Sequence, residues 1–323
     1  MSPCEPETFE DFMRRALHDP ATGYYARSIR TIGGRGDFTT APMISGLPAR
    51  AIAAWVTRAL RETKCRNLIE IGPGEGKLAA AVMAALPWHL RWRTRLHLVE
   101  TSTPLGEIQR KSLRNIATWH RTPTEALHAC GGNAVIFSNE LVDAFPVRRF
   151  EKSGDSWLEI AVRFDHDGRP RESLMPAAPL PDSSGFTPAH PDGQRIEVHE
   201  SYRNWLRDWL PHWKSGRMLT IDYGSTADRI YHRRPRGTVR GYLMHQLVEG
   251  ADIYQNIGRQ DLTADVNFTD LAAWSSPWTE DARLVTFGEF LSGFTPRPDS
   301  QDARLADADG PGGAFLVLDQ RRG

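Results

Sequence analysis

The sequence predicts an α/β fold: a mainly parallel sheet with helices on both faces, plus an N-terminal helical segment and an inserted β and loop arm. Three observations carry this. Asn67 to Ile71 is a short apolar strand pattern that breaks at Gly72-Pro73-Gly74-Glu75-Gly76 and resumes as the alanine-rich helix pattern Lys77 to Leu86, the first half of a βαβ unit. Strand and helix patterns then keep alternating, as a parallel sheet requires. The chain is 40% hydrophobic and 25% charged over 323 residues, enough apolar material for a packed core.

In chain order, Phe9, Phe12, Met13, Ala16 and Leu17 fall at helical spacing behind Thr8, which suits an N-cap. Asp19 to Pro48 is turn-rich, and Ala49 to Leu60 is helical. Arg95 to Glu100 is a second strand, Leu105 to Arg114 a helix, Ile116 to Trp119 a weaker strand and Asn133 to Ser138 a third clear one. Arg148 to Phe164 reads as a β-hairpin arm, and His166 to Gly193, rich in Pro, Gly and Asp, as a surface insertion. Ser201 to Trp213 is helical, with Trp205, Trp209 and Trp213 on one face that suits a core or a partner surface. Arg217 to Tyr223 is a central strand, and Arg283 to Phe287 and Ala314 to Asp319 are closing strands. The expected organisation is an N-terminal helical and lid segment over 1–62 and one α/β domain over 63–323, with insertions at about 148–200 and 224–268.

Forty Lys and Arg balance forty Asp and Glu, and a net charge of zero argues against a general nucleic-acid binder. The longest apolar run, Leu78 to Leu86, is far short of the ~20 residues of a membrane span. Cys4, Cys65 and Cys130 lack paired spacing and the histidines lack ligand spacing, so neither a disulfide framework nor a metal site is expected. The N-terminus carries Glu5, Glu7, Glu10 and Asp11 and no apolar stretch, unlike a signal or transit peptide. A reducing, cytoplasmic location is the expectation.

The glycine turn reads Glu70-x-Gly72-x-Gly74-x-Gly76. Lys77 stands where a dinucleotide fingerprint wants its third glycine, and Leu78 where a phosphate-binding P-loop wants Ser or Thr. Both phosphate readings weaken. The spacing is instead that of the first motif of class I methyltransferases, which bind S-adenosylmethionine. Glu100, at the end of the second strand, suits the ribose, because a carboxylate accepts hydrogen bonds from both hydroxyls. Directly after the third strand come Asn139, Glu140 and Asp143, where open α/β sheets place ligands and chemistry. Asn139 suits a substrate amine or the methionine end of the cofactor, or else caps a helix beside solvated acids. Tyr24, Tyr25 and Asp37 could cover the cofactor, and the tyrosines equally suit packing of the first helix. Asp222 and Tyr223 end a central strand at the ligand-facing edge, so they and Pro146 join the substrate-pocket candidates. Arg233-Arg234-Pro235-Arg236 reads as a solvated loop.

Longer blocks carry a family resemblance. Phe12-Met13, Ala16-Leu17, Asp19-Pro20 and Gly23-Tyr24-Tyr25, then Gly33 to Pro42, resemble the N-terminal signatures of the MidA-type methyltransferases. Glu70 to Leu78, Val99-Glu100 with Ser102 and Gln109, Asn139-Glu140-Leu141 through Pro146-Val147, Arg195 to Val198, Asp222-Tyr223-Gly224, Gly237 to Arg240 and Gly258 with Asp261-Leu262-Thr263 continue it nearly end to end. The resemblance implies a Rossmann-like class I methyltransferase sheet, S-adenosylmethionine as cofactor and no metal. Eukaryotic members are mitochondrial complex I assembly factors held to be protein arginine methyltransferases, so a protein arginine, in a complex I subunit for one, is the implied acceptor. Glu140 and Asp143 are then candidates for a catalytic clamp on the guanidinium. Glu70, Gly72, Gly74, Gly76, Glu100, Asn139, Tyr24 and Tyr25 are candidates for the cofactor. The family usually carries His-Val-Asp-Phe where this chain has Asp265-Val266-Asn267-Phe268, and the Phe-Gly expected after Ile44-Ser45 is replaced by Gly46-Leu47-Pro48. A methyltransferase acting on another residue or a small molecule, and a silent assembly factor, stay open as alternatives.

Overall fold

The computed structural model describes residues 5–28, 46–177, 179–244, 246–294 and 301–323. Its main sheet runs in the order β15 (Asp281–Thr286), β16 (Phe315–Arg322), β10 (Gly216–Ser225), β5 (Val135–Asn139), β2 (Asn67–Ile71), β3 (Arg95–Val99), β4 (Ala117–His120). The five strands from β10 to β4 are mutually parallel, whereas β16 runs antiparallel to both its neighbours. Both faces are covered, so β2, β3 and β5 and the first half of β10 are buried on nearly every residue rather than on alternate ones. Leu68, Leu98, Val135, Phe137 and Leu219 enter one core with helices Leu47–Glu62 and Lys77–Ala85. Ile69, Ile71, Ile136 and Met218, one residue out of phase, enter the other with helices Pro123–Ala129, Glu200–Trp209 and Phe268–Ser275.

The chain leaves β2 towards β3 on one side, and β5 lies on the other. Strand order therefore reverses between β2 and β5, where open sheets leave a crevice at the carboxyl ends. Ile71, Val99 and Asn139 all end on that edge.

Segment 148–200 forms its own antiparallel sheet. β7 (Ser156–Phe164) pairs with β6 (Arg148–Ser153) and β8 (Pro170–Pro176), and β9 (Arg195–Val198) pairs with β6. The stretch expected to be surface loop thus contains a strand, with a proline at each end, as suits a sheet edge. β1 (Glu7–Thr8) adds to β7, so the N-terminal segment is tied to the inserted sheet. Thr8 caps the helix Phe9–His18 by accepting the Asp11 N–H at 3.1 Å. That helix buries Phe9, Phe12, Met13 and Leu17 against Val162, Tyr254 and Leu262. A third sheet, β12 (Gln246–Val248), β11 (Arg240–Leu243) and β13 (Asp261–Thr263), lies within 224–268. A short β14 (Val266–Asn267) extends beside β10. Helix Leu47–Glu62 packs Trp55 and Val56 into the main core with the sheet. Trp209 and Trp213 are core residues, the Trp213 indole donating to the Ala134 carbonyl at 3.0 Å.

Candidate active site

The glycine turn needs glycine for two separate reasons. Gly72 has φ of 68° and Gly76 of 77°, in the left-handed region. A Cβ on Gly72 would lie 2.7 Å from Leu141 Cδ1, so the bare backbone of the turn presses directly on the acidic loop after β5. The Gly72 N–H donates to the Val99 carbonyl at 3.1 Å and fixes the turn to the end of β3.

Glu100 follows β3. Its carboxylate accepts the Ser102 N–H at 2.7 Å and the Gln109 side-chain N–H at 3.0 Å. Gln109 also donates to the Gly74 carbonyl at 2.6 Å and accepts the Trp119 indole N–H at 3.0 Å. One buried amide therefore registers the glycine turn, the acid and β4. Burial pushes the Glu100 carboxyl up, while the Ser102 and Gln109 donors pull it down. Ser102 Oγ donates to the Tyr25 carbonyl at 3.1 Å, which brings the N-terminal segment over this corner.

Glu70 is buried beneath the turn. Burial pushes its carboxyl up to about 8, the Ala79 N–H in the first turn of the next helix acting against that, and its Oε2 has no partner among the described residues. Its proton is thus held in the folded chain and lost at lower pH in the unfolded one. Because the folded value is raised, the folded state is favoured below pH 4.5, and that preference is lost as pH rises towards 8. Buried His97 and His199, depressed to about 4 by burial, act with opposite sign but only below 6.5. Stability of the ligand-free protein is therefore expected to fall between pH 6.5 and 8. Thermal melts of Glu70→Gln should show a flatter profile there; parallel profiles would remove Glu70 as the source.

The acidic loop carries one left-handed residue and is fixed by Asp222. Glu140 takes φ of 51°, unusual for a residue with a side chain and a mark of functional sites. Its N–H donates to the Ile221 carbonyl at 2.9 Å, and its carboxylate accepts the Asn139 side-chain N–H at 2.9 Å. Asp222, 0% exposed, accepts the N–H groups of Leu141, Val142 and Asp143 at 3.1, 2.8 and 3.4 Å on one oxygen and its neighbour Tyr223 N–H at 2.9 Å on the other. Asp222 was expected to line a substrate pocket; its carboxylate is instead consumed in positioning the loop. Pro146 is likewise buried, its carbonyl accepting the Ser201 hydroxyl at 2.6 Å, and packs the loop's far end. Asp143 is buried beside Arg240 and Asp265. Burial and Asp265 push its carboxyl up to about 6 against the pull of Arg240.

Tyr223 does line a cavity, of about 710 Å³, with Gly224, His232, Arg234, Arg240 and Asp265. Asp265 accepts from both Arg234 and Arg240, and the Arg240 guanidinium lies 5.6 Å over the Tyr223 ring. The residue standing where the family usually has His is thus the anchor of an ion-paired wall, and the expected solvated loop contributes Arg234 to it. Asn267 caps helix Phe268–Ser275 by accepting the Thr269 N–H at 3.1 Å, so an amide does the capping where the family usually has Asp. Tyr24 is buried with Phe9, Phe12 and Leu262, and Tyr25 donates its hydroxyl to Asp261 at 2.9 Å. Asp37 lies outside the described residues.

The Asp265 network and the triple role of Gln109 were not found from sequence. Their only signals were the departure at 265 and the bare match at 109.

Comparison with known proteins agrees with this geometry. A family model described as an S-adenosyl-L-methionine-dependent methyltransferase matches residues 51–282. The chain is 30% identical to the protein arginine methyltransferase NDUFAF7 homolog, mitochondrial, of Caenorhabditis elegans, over 89% of this chain and 72% of that one. It is 26% identical to the Danio rerio protein arginine methyltransferase NDUFAF7, mitochondrial, over 82% and 68%. A crystal structure from Burkholderia thailandensis with S-adenosyl-homocysteine bound superposes with a TM-score of 0.84 at 25% identity, covering 98% of this chain and 88% of that one.

The residues present fit S-adenosylmethionine. The turn offers bare backbone, Glu100 offers a carboxylate at the second strand end, and Asn139 Oδ1 is a buried acceptor with no partner among the described residues. Among those residues, no group of three His, Cys, Asp or Glu could hold a metal ion, and no helix is long and apolar enough to cross a membrane. The chain belongs to the MidA-type family of S-adenosyl-L-methionine-dependent methyltransferases.

Proposed function

We propose that this methyltransferase modifies arginine side chains of a protein acceptor, with Glu140 and Asp143 holding the guanidinium. The observation that carries this reading is the acidic loop: two carboxylates three residues apart, on a strained turn whose amides are pinned by buried Asp222. A turn with no chemical task could relax by placing Gly or Asn at 140. The relatives named protein arginine methyltransferases support the same acceptor. A complex I subunit is the first acceptor the resemblance offers.

S-adenosylmethionine, when bound, supplies an electrophilic methyl group on a sulfonium centre. Glu100 and Asn139 would hold it at the strand ends, and Gly72 and Gly74 would let it approach the backbone. An arginine stays protonated near neutral pH and is a poor nucleophile. Two carboxylates grip its planar guanidinium through paired N–H bonds, draw the positive charge towards themselves and aim one nitrogen. The proton displaced from that nitrogen passes to a carboxylate, for which Asp143, poised near 6, is suited.

The pH dependence follows. The clamp needs Asp143 ionised, so methyl transfer should fall as pH drops through about 6, approaching about tenfold per unit below it. Rates under subsaturating acceptor should show that acid limb, and Asp143→Asn should lower the plateau and abolish the limb. A profile flat from pH 7 to 5 would exclude Asp143 from the clamp.

A further inference from the structure

At the other end of the same strands lies a feature that the methyl-transfer site does not use. The short helix Trp88–Arg91 leaves Trp88 71% and Trp92 82% exposed. The Trp92 N–H donates to the Trp88 carbonyl at 3.1 Å, so the two indoles, four residues apart on one turn, stand on the same side. Around them His89, Arg91, Arg93 and Arg95 are exposed. The Arg95 N–H donates to the Arg66 carbonyl at 2.7 Å, which adds exposed Arg66 and Lys64 to the patch. Among the described residues none of these arginines nor Lys64 is ion-paired. No Asp or Glu occurs between Glu75 and Glu100.

We infer that this edge docks the protein on an anionic lipid bilayer, with Trp88 and Trp92 entering the headgroup layer and the arginines facing lipid phosphates. Charge complementarity argues for an anionic occupant: a chain of zero net charge concentrates unpaired cations here. Two exposed indoles argue for a bilayer, since an indole, apolar with one N–H, partitions to the membrane–water interface. A specific protein interface needs about 800 Å² per partner around an apolar core, and two isolated rings ringed by arginines do not make one. Arginines can lay their stems beside the indoles while the guanidinium reaches phosphate. Arg95 opens β3 and Arg66 precedes β2, whereas Gly72 and Glu100 follow those strands. Five residues of strand set the two edges about 16 Å apart, so a docked molecule would turn its methyl-transfer edge away from the lipid.

Flotation of the full chain with vesicles tests this. Vesicles of phosphatidylcholine with about 30 mol % phosphatidylglycerol should carry the protein up, pure phosphatidylcholine should not, and binding should weaken as ionic strength rises. Indole fluorescence should shift to the blue on binding. Neutralising Arg91 and Arg93 to Gln should weaken binding about 25-fold, roughly fivefold per charge, and Trp88→Ser with Trp92→Ser at least tenfold by the same order of interfacial partitioning. Both variants should keep wild-type S-adenosylmethionine affinity, which separates this proposal from the activity and from misfolding. Equal binding to neutral and anionic vesicles, unchanged binding by the variants, or preference of the same residues for single-stranded nucleic acid over vesicles would overturn it.

Discussion

Glu140→Gln should lower the single-turnover rate of methyl transfer by about 10²–10³-fold while leaving S-adenosylmethionine affinity within about twofold. The split follows from what the side chain touches. The amide keeps the length of Glu140 and an oxygen that can still accept the Asn139 N–H, so the left-handed turn and the cofactor corner at Gly72 and Glu100 are undisturbed. The lost charge is the one that would face a cationic guanidinium. Rapid-quench transfer reports the first quantity and titration calorimetry the second. A loss under about threefold would leave Asp143 as the sole carboxylate of the clamp.

Asp222→Ala should be the most destabilising change at the site, by about 3–5 kcal/mol, with Tm lower by roughly 10 °C. Asp222 contacts no solvent, yet its two oxygens take four backbone N–H groups. Removing them leaves those donors buried without acceptors at the base of a turn already strained at Glu140. Burial and Asp143 push the Asp222 carboxyl up, and the Val142 and Tyr223 amides pull it back. Transfer should fail in the variant even well below its melting temperature, because the loop carrying Glu140 and Asp143 loses its register. Calorimetric melting and transfer at low temperature check both parts. A variant within about 1 kcal/mol of wild type would mean that the loop is held by something else.

The main sheet was legible because its strands are buried on both faces. Asn67–Ile71 shows as a short apolar run broken by one acid, and the glycine turn after it identifies which end of the sheet carries chemistry. The inserted sheets were harder. β8 buries none of its residues fully and its sequence, Pro-Arg-Glu-Ser-Leu-Met-Pro, is mostly polar and bounded by prolines, so Pro170–Pro176 resembles loop when read locally although it pairs with β7. Candidate site residues split along the same line. Glu100 and Asn139 sit at predictable strand ends, but no local pattern shows that Asp222 turns inward to backbone amides. The Asp265 pairings with Arg234 and Arg240 span 31 and 25 residues of sequence, beyond any helical or strand period. Nor does any local pattern show that Tyr25 donates to the Asp261 carboxylate, 236 residues away, while its carbonyl accepts from Ser102.

Arginine specificity is tested most directly by transferring a labelled methyl group from S-adenosylmethionine into protein, with hydrolysis and amino-acid analysis of the product, for wild type beside Glu140→Gln. The prediction is label in methylarginine from a protein acceptor, its rate of appearance strongly reduced by the substitution. Label in another amino acid or in a small molecule, with none in methylarginine, would contradict it.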